Sequence, residues 1–218
     1  MIETGIQFGD IHSYYDLNLV LSSVDIPPAQ PKTNYIDIPG GNGSIDLTEA
    51  LGEVKFSDKA LTFVFTMFPN DLLTFEEKKT QIANALNGKR FEKITVEKDS
   101  DYYYTGRCVV DSFLEDKMLR QFTVVATVNP YKLKQNETIV AIPLTSTAKT
   151  IVLTNGRKSV RPTITCSANG AKIVIGNATY SLNKGTQTVS TLVLKEGVTE
   201  MNVSGSGTME FKYREGDL

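Results

Sequence analysis

Hydrophobic and polar residues alternate along much of the chain, with the period of two that is typical of half-buried β-strands. Two runs show this most clearly, with hydrophobic positions at Phe63, Phe65 and Met67 in the first and Phe122, Val124, Ala126 and Val128 in the second. We predict further strands at residues 94–96 and 102–114. The charged residues 115–117 predict a hairpin turn that leads into the strand around Phe122.

One stretch has the period of a helix instead. Thr74 and Glu77 form the S/T-x-x-E pattern of a capping box, in which each side chain satisfies a free backbone N–H group. Gly88 supplies a residue that tolerates the left-handed conformation of a helix stop. The hydrophobic positions between these signals are Phe75, Ile82 and Leu86. We therefore predict a helix at residues 75–87.

The character of the chain changes after residues 129–131, Asn-Pro-Tyr, where proline predicts the end of a strand. Beyond this point, turn signals that contain glycine recur every 7 to 14 residues between short alternating runs. That pattern is typical of a small antiparallel sandwich. We predict two domains, residues 1–131 and 132–218. The fold class is mainly β with one helix: an N-terminal sandwich or barrel-like domain, then a small C-terminal β-sandwich.

Residues 25–60 fit neither the strand pattern nor the helix pattern. Four prolines and the sequence Gly-Gly-Asn-Gly at 40–43 interrupt any regular element. A segment of this length without periodicity is uncommon inside a compact domain. It nevertheless carries more hydrophobic residues than a free linker needs, among them Ile36, Ile38 and Leu47. We predict an extended arm or hairpin that docks on a partner.

Composition and charge exclude several classes of protein. The 218 residues carry a formal net charge of −2, which gives no electrostatic basis for binding nucleic acid. No apolar run is long enough to span a membrane, and the N-terminus lacks the pattern of a secretory signal. The small total conceals an asymmetry, because residues 1–130 carry a charge of −7 and residues 131–218 a charge of +5.

Candidate chemistry is sparse. His12 is the only histidine, and Cys108 and Cys166 alternate with β-branched residues as small apolar strand positions do. Two cysteines are too few for a structural zinc site. We therefore predict no catalytic residue, no metal and no cofactor. A carbohydrate-binding module remains an alternative function, for which Tyr180 is the candidate glycan contact.

Several segments together carry a family resemblance. They are FGDIHSY at 8–14, LVL at 19–21, IPP at 26–28, KTNYIDIPG at 32–40, GSIDLTE at 43–49, NPY at 129–131 and FKYREGDL at 211–218. In this order and spacing, they resemble the distal tail proteins of long-tailed (siphovirus-type) bacteriophages and prophages of Gram-positive hosts. The resemblance spans the whole chain.

The resemblance implies a structural role in the virion, with no enzymatic activity. Distal tail proteins form a hexameric ring at the tail tip or baseplate. This ring surrounds the DNA channel and joins the tail tube protein to the tail-associated hub protein. DNA passes through without specific binding, and C-terminal sandwiches project outward, where in some phages they hold receptor-binding or side proteins. Such a protein is made in the host cytoplasm and does not insert into a membrane.

A ring of this kind needs surfaces that pair with a neighbouring copy. We expect them in the arm and in the long hairpin at 102–128. The candidate ring-interface residues are Tyr35, Ile36, Ile38, Leu47, Tyr102 and Tyr104.

Overall fold

A computed structural model of the chain describes residues 5–50, 52–68, 71, 73–116 and 119–218. Strands account for 53% of the residues and helix for 7%, which confirms the predicted fold class. The chain divides into two compact units, Met1–Lys132 (unit 1) and Leu133–Leu218 (unit 2). The predicted domain boundary lies one residue before this division.

The described part of unit 1 contains four strands of two or three residues, five strands of seven residues or more, and one α-helix. In chain order these are β1 (Ile6–Phe8), β2 (Ile11–His12), β3 (Leu19–Asp25), β4 (Tyr35–Asp37), β5 (Ser44–Asp46), β6 (Lys59–Met67), α1 (Phe75–Leu86), β7 (Arg90–Val96), a 3₁₀ turn (Glu97–Asp99), β8 (Tyr102–Glu115) and β9 (Arg120–Val128). The main sheet has the order β2-β1-β7-β8-β9-β6-β3. Strands β4 and β5 form a separate two-stranded hairpin.

The main sheet curls towards a barrel. Strands β2 and β3 lie at its opposite edges, yet the backbone N–H of Leu19 donates to the Ser13 carbonyl at 2.9 Å, one residue beyond β2. The close approach of β8 and β9 requires Gly106, because a Cβ atom there would lie 2.2 Å from the Thr127 carbonyl oxygen. The hydrophobic positions predicted in the two alternating runs all line the buried face of this sheet.

The predicted capping box is present at the start of α1. Thr74 accepts a hydrogen bond from the Glu77 backbone N–H, and the Glu77 carboxylate accepts one from the Thr74 N–H. Gly88 adopts a φ of +73°, which confirms its role beyond the helix end. The buried residues of α1 pack onto the sheet and are Phe75, Lys78, Ile82 and Leu86. No helix in the described ranges is long and apolar enough to cross a membrane.

Lys78 is an unusual member of this buried set. Its ammonium group is 2.6 Å from Asp71 Oδ2 and donates to the Leu17 carbonyl at 3.0 Å. Burial raises the pKa of Asp71. The hydrogen bonds from Lys78 and the Leu73 N–H, together with the Lys78 charge, outweigh burial and leave the pKa below its ordinary value.

Unit 2 is a sandwich of two four-stranded antiparallel sheets, as predicted. Its strands are β10 (Lys132–Lys134, which begins at the last residue of unit 1), β11 (Thr138–Pro143), β12 (Lys149–Asn155), β13 (Thr163–Cys166), β14 (Ala171–Ile175), β15 (Ala178–Leu182), β16 (Gly185–Thr188), β17 (Gly197–Ser204), β18 (Thr208–Tyr213) and β19 (Gly216–Asp217). One sheet has the order β11-β18-β13-β16 and the other β12-β17-β14-β15, while β10 and β19 pair with each other outside these two sheets. Inward-facing residues of both sheets form a core that includes Ile164, Met209 and Phe211.

Candidate assembly surfaces

The segment between β3 and β6, residues 26–58, forms an arm with a closed base. Pro31 and Phe56 form an isolated β-bridge, and the Lys32 N–H donates to the Lys55 carbonyl at 2.7 Å. The Phe56 ring packs edge-on against Tyr131, with 5.9 Å between ring centroids. These contacts tie the two ends of the arm together and attach them to unit 1.

The outer part of the arm is the hairpin of β4 and β5. Ile36 lies directly opposite Ile45, and Tyr35 lies opposite Asp46. Because successive side chains in a strand point to opposite faces, the hairpin has one apolar face and one polar face. No other strand in the described part of the chain pairs with either β4 or β5. A two-stranded hairpin without such support is marginally stable in water.

The apolar face of this hairpin is open to solvent. Ile36, Ile38 and Ile45 are 51%, 41% and 53% exposed, respectively. Leu47, which was predicted with them, is half-buried at the end of β5. Three neighbouring isoleucines on one exposed face form an apolar cluster, and such clusters mark interaction sites on protein surfaces.

The opposite face is polar and acidic. It carries Tyr35, which is 57% exposed, together with Asp37 and Asp46. Hydrogen bonds from the side chain and the backbone N–H of Thr48 lower the pKa of Asp46; burial opposes this slightly, and a hydrogen bond from Tyr35 adds to it. The hairpin therefore presents charge on one side and hydrocarbon on the other.

The two tyrosines predicted in the long hairpin occupy different environments. Tyr102 is half-buried, and the Lys132 ammonium lies 4.3 Å from its ring centroid. Tyr104 is only 5% exposed and belongs to the core of unit 1, where burial raises its pKa to about 12. Tyr104 therefore lies inside unit 1, and we leave it out of the interface proposed below.

The far end of the β8–β9 hairpin is a second exposed surface, and sequence reasoning did not single out its residues. It carries Val109, Phe113, Leu114 and Leu119, all at least 38% exposed. Asp116 and Leu119 exchange backbone hydrogen bonds, which fixes the predicted hairpin turn, although Lys117 lies outside the described residues. The sequence did contain a signal for this surface, because hydrophobic residues flank the predicted turn on both sides.

The groups that could support catalysis are occupied or buried. Nδ1 of His12 accepts hydrogen bonds from the N–H groups of Tyr14 and Tyr15, and Nε2 lies 3.1 Å from Glu97 Oε1. Burial raises the pKa of the Cys108 thiol to about 12 and also raises that of Cys166. Neither thiol is therefore prepared to act as a nucleophile.

The candidate glycan contact, Tyr180, lies on β15. It is partly buried and packs against the core of unit 2, so its ring does not form an open platform. Among the residues that the structure describes, no group of three or more His, Cys, Asp or Glu side chains could hold a metal ion.

Comparison with solved structures shows a protein with a similar architecture. The crystal structure of phage SPP1 Dit, described as a paradigm of the hub adsorption apparatus in phages that infect Gram-positive bacteria, has a similar fold. The TM-score is 0.72 at 13% sequence identity, and the match covers 99% of each chain. A search of curated protein sequences finds no match.

A family model supplies the sequence relationship that the structural likeness alone does not. The model of the phage tail protein RIFT-related domain matches residues 10–128, more than half of the chain and almost all of unit 1. The chain therefore belongs to this family of phage tail proteins, in agreement with the resemblance found in the sequence.

Proposed function

We propose that this phage tail component forms a hexameric ring at the tail tip, around the channel through which DNA passes. In that position it joins the tail tube protein to the tail-associated hub protein. The main support for this proposal is the arm hairpin, whose isoleucine face is exposed to solvent in the single chain. Hydrophobic surface of this kind is expected to be covered in the functional assembly.

The arrangement of unit 1 suits a closed ring. A ring made from identical copies uses heterologous contacts, in which one surface of a subunit meets a different surface of the next. Unit 1 has two exposed apolar surfaces on different elements: the arm hairpin and the end of the β8–β9 hairpin. The whole-chain likeness to SPP1 Dit, which is described as a paradigm of the hub adsorption apparatus, supports the same proposal.

The charge of unit 1 supports passage of DNA without a grip on it. Phosphate binding depends on cationic contacts, and residues 1–130 carry a net charge of −7. Unit 2 belongs to a separate compact body and, by this proposal, anchors receptor-binding or side proteins. We further propose that the chain has no enzymatic role, which agrees with the engaged ring nitrogens of His12 and the two buried thiols.

Immunogold electron microscopy of phage particles that carry this chain tests its position. The proposal expects label at the distal end of the tail, at the junction of tube and tip. Label on the head or along the whole tube would overturn it. A glycan pull-down tests the alternative function, and we expect no difference between the wild type and Tyr180→Ala, because Tyr180 packs against the core.

A further inference from the structure

The end of β8 is an unpaired strand edge. Strand β7 pairs with β8 only as far as Arg107, which lies opposite Arg90. The backbone N–H groups of Cys108 and Val110 are then satisfied by the Lys89 carbonyl and the Asn87 side chain. In the described residues, β7 does not pair with β8 beyond that point, and residues 111–115 are all exposed.

The hydrogen-bonding pattern shows which backbone groups this edge offers. The backbone N–H groups of Asp116 and Leu119 each donate to the carbonyl of the other residue. In an antiparallel pair every second residue is bonded in this way, so Leu114 and Ser112 also bond to β9. The N–H and C=O groups of Phe113 and Glu115 therefore point away from β9. An exposed edge of this kind is a template for a strand from another chain.

The arm hairpin offers the matching edge. The Leu47 N–H donates to the Asn34 carbonyl and the Ile38 N–H to the Gly43 carbonyl, so Ile36 also bonds towards β5. By the same alternation, the backbone groups of Tyr35 and Asp37 point to the free side of β4. The arm and the β8 edge thus each carry two residues with outward-pointing donors and acceptors.

From these matching edges, we infer that β4 of one copy adds as a strand to the edge of β8 at residues 111–115 in the next copy. This inference rests on the ring proposed above and specifies where the arm binds. The β4 strand is the better candidate in the hairpin, because Ile36 and Ile38 on its apolar face are both exposed, whereas on β5 Ile45 is exposed and Leu47 is half-buried.

The two faces of the combined sheet match in character. Leu114 lies opposite Gln121 and Val109 opposite Val125, so both side chains are on the outer face of the β8–β9 hairpin. With the isoleucines of the arm beside them, the paired strands would share a continuous apolar patch. Residues 26–58 of the arm carry more acidic than basic side chains.

The acidic face of the arm then lies on the side of the helix. Phe113 shares this side with buried Phe122, and the Lys79 ammonium is 5.3 Å from its ring centroid. Lys79 pairs with Glu76 at 3.0 Å and Arg120 pairs with Glu115 at 3.4 Å. Each of these cations already pairs with a glutamate of its own subunit, so charge does not select the occupant. The outward-pointing backbone groups of both edges and the apolar outer faces identify a second copy of this chain as the occupant.

Cysteine cross-linking tests the pairing directly. In the antiparallel register that uses both outward residues of each edge, Tyr35 lies opposite Glu115 and Asp37 opposite Phe113. Oxidation of the variant Tyr35→Cys/Glu115→Cys should therefore give a ladder of covalent oligomers that closes at the hexamer. The matched control is Tyr35→Cys/Glu92→Cys, in which the second position is more accessible than Glu115 but lies on β7; we expect no ladder from it. Cys108 and Cys166 are buried and should not contribute.

Hydrogen exchange of the wild type gives a second readout that needs no substitution. Amides of Phe113 and Glu115 should exchange about tenfold more slowly, or slower still, in the assembled form than in the dilute monomer, since each gains a strand hydrogen bond. Edge strand β11 of unit 2 serves as the internal control and should not change. A ring that forms without the covalent ladder and without slower exchange at these amides would overturn the inference but not the proposed ring. A chain that never assembles would overturn both.

Discussion

Truncation of the apolar face of the arm should weaken assembly without unfolding the subunit. Full burial of an isoleucine side chain contributes about 1.5–3 kcal/mol relative to exposure. Ile36, Ile38 and Ile45 are between 41% and 53% exposed, so covering the remaining surface contributes about 1 kcal/mol each. The variant Ile36→Ala/Ile38→Ala/Ile45→Ala should therefore lose about 2–3 kcal/mol per subunit contact, which raises the dissociation constant about 30- to 150-fold.

Sedimentation velocity across a concentration series measures this loss. A matched control is Ile139→Ala/Val152→Ala/Val198→Ala, because these unit 2 residues are 56%, 54% and 69% exposed and lie outside the proposed interface. The control should assemble like the wild type, and thermal unfolding of both monomers should be nearly unchanged. Equal dissociation constants for the arm variant and the wild type would refute the reasoning, as would equal weakening of assembly by the control.

Three further predictions concern the subunit itself. Lys78→Met should lower the free energy of unfolding by about 3 kcal/mol or more in urea titrations, because it leaves the Asp71 carboxylate buried without its cation. Since the pKa of Asp71 lies below its ordinary value of 3.8, its contribution to stability is present above that pH and is lost as the pH falls through the lowered pKa; acid titrations of Asp71→Asn should lack this component. Cys108 should resist a thiol reagent at pH 8 until the protein is unfolded, because burial raises its pKa to about 12.

Most of the fold could be predicted from local patterns. The alternating runs identify the inward face of β6 and β9, and the capping box with Gly88 identifies α1 to within one residue at its end. These signals are reliable because each depends on a few neighbouring residues. The order of strands in the main sheet could not be predicted, since pairings such as β1 with β7 join residues nearly 90 positions apart.

The candidate surfaces were predicted less completely. The prolines and isoleucines of the arm identified an element that needs a partner, and the structure places Ile36 and Ile38 on its exposed face. Tyr104 was indistinguishable from an interface tyrosine in sequence, because burial of its ring depends on the packing of β8 against the rest of the sheet. The exposed edge beyond Arg107 depends on where β7 begins, at Arg90, which only the register of β7 with β8 reveals.

Native mass spectrometry of the purified full-length chain tests the central claim most directly. The account predicts a dominant species of six copies, about 144 kDa from a chain of 24.0 kDa, or twelve copies if two rings associate back to back. The arm triple variant should shift that distribution to the monomer under the same conditions. A wild-type chain that remains monomeric at every concentration, or that assembles into an open series without a closed species, would contradict the account.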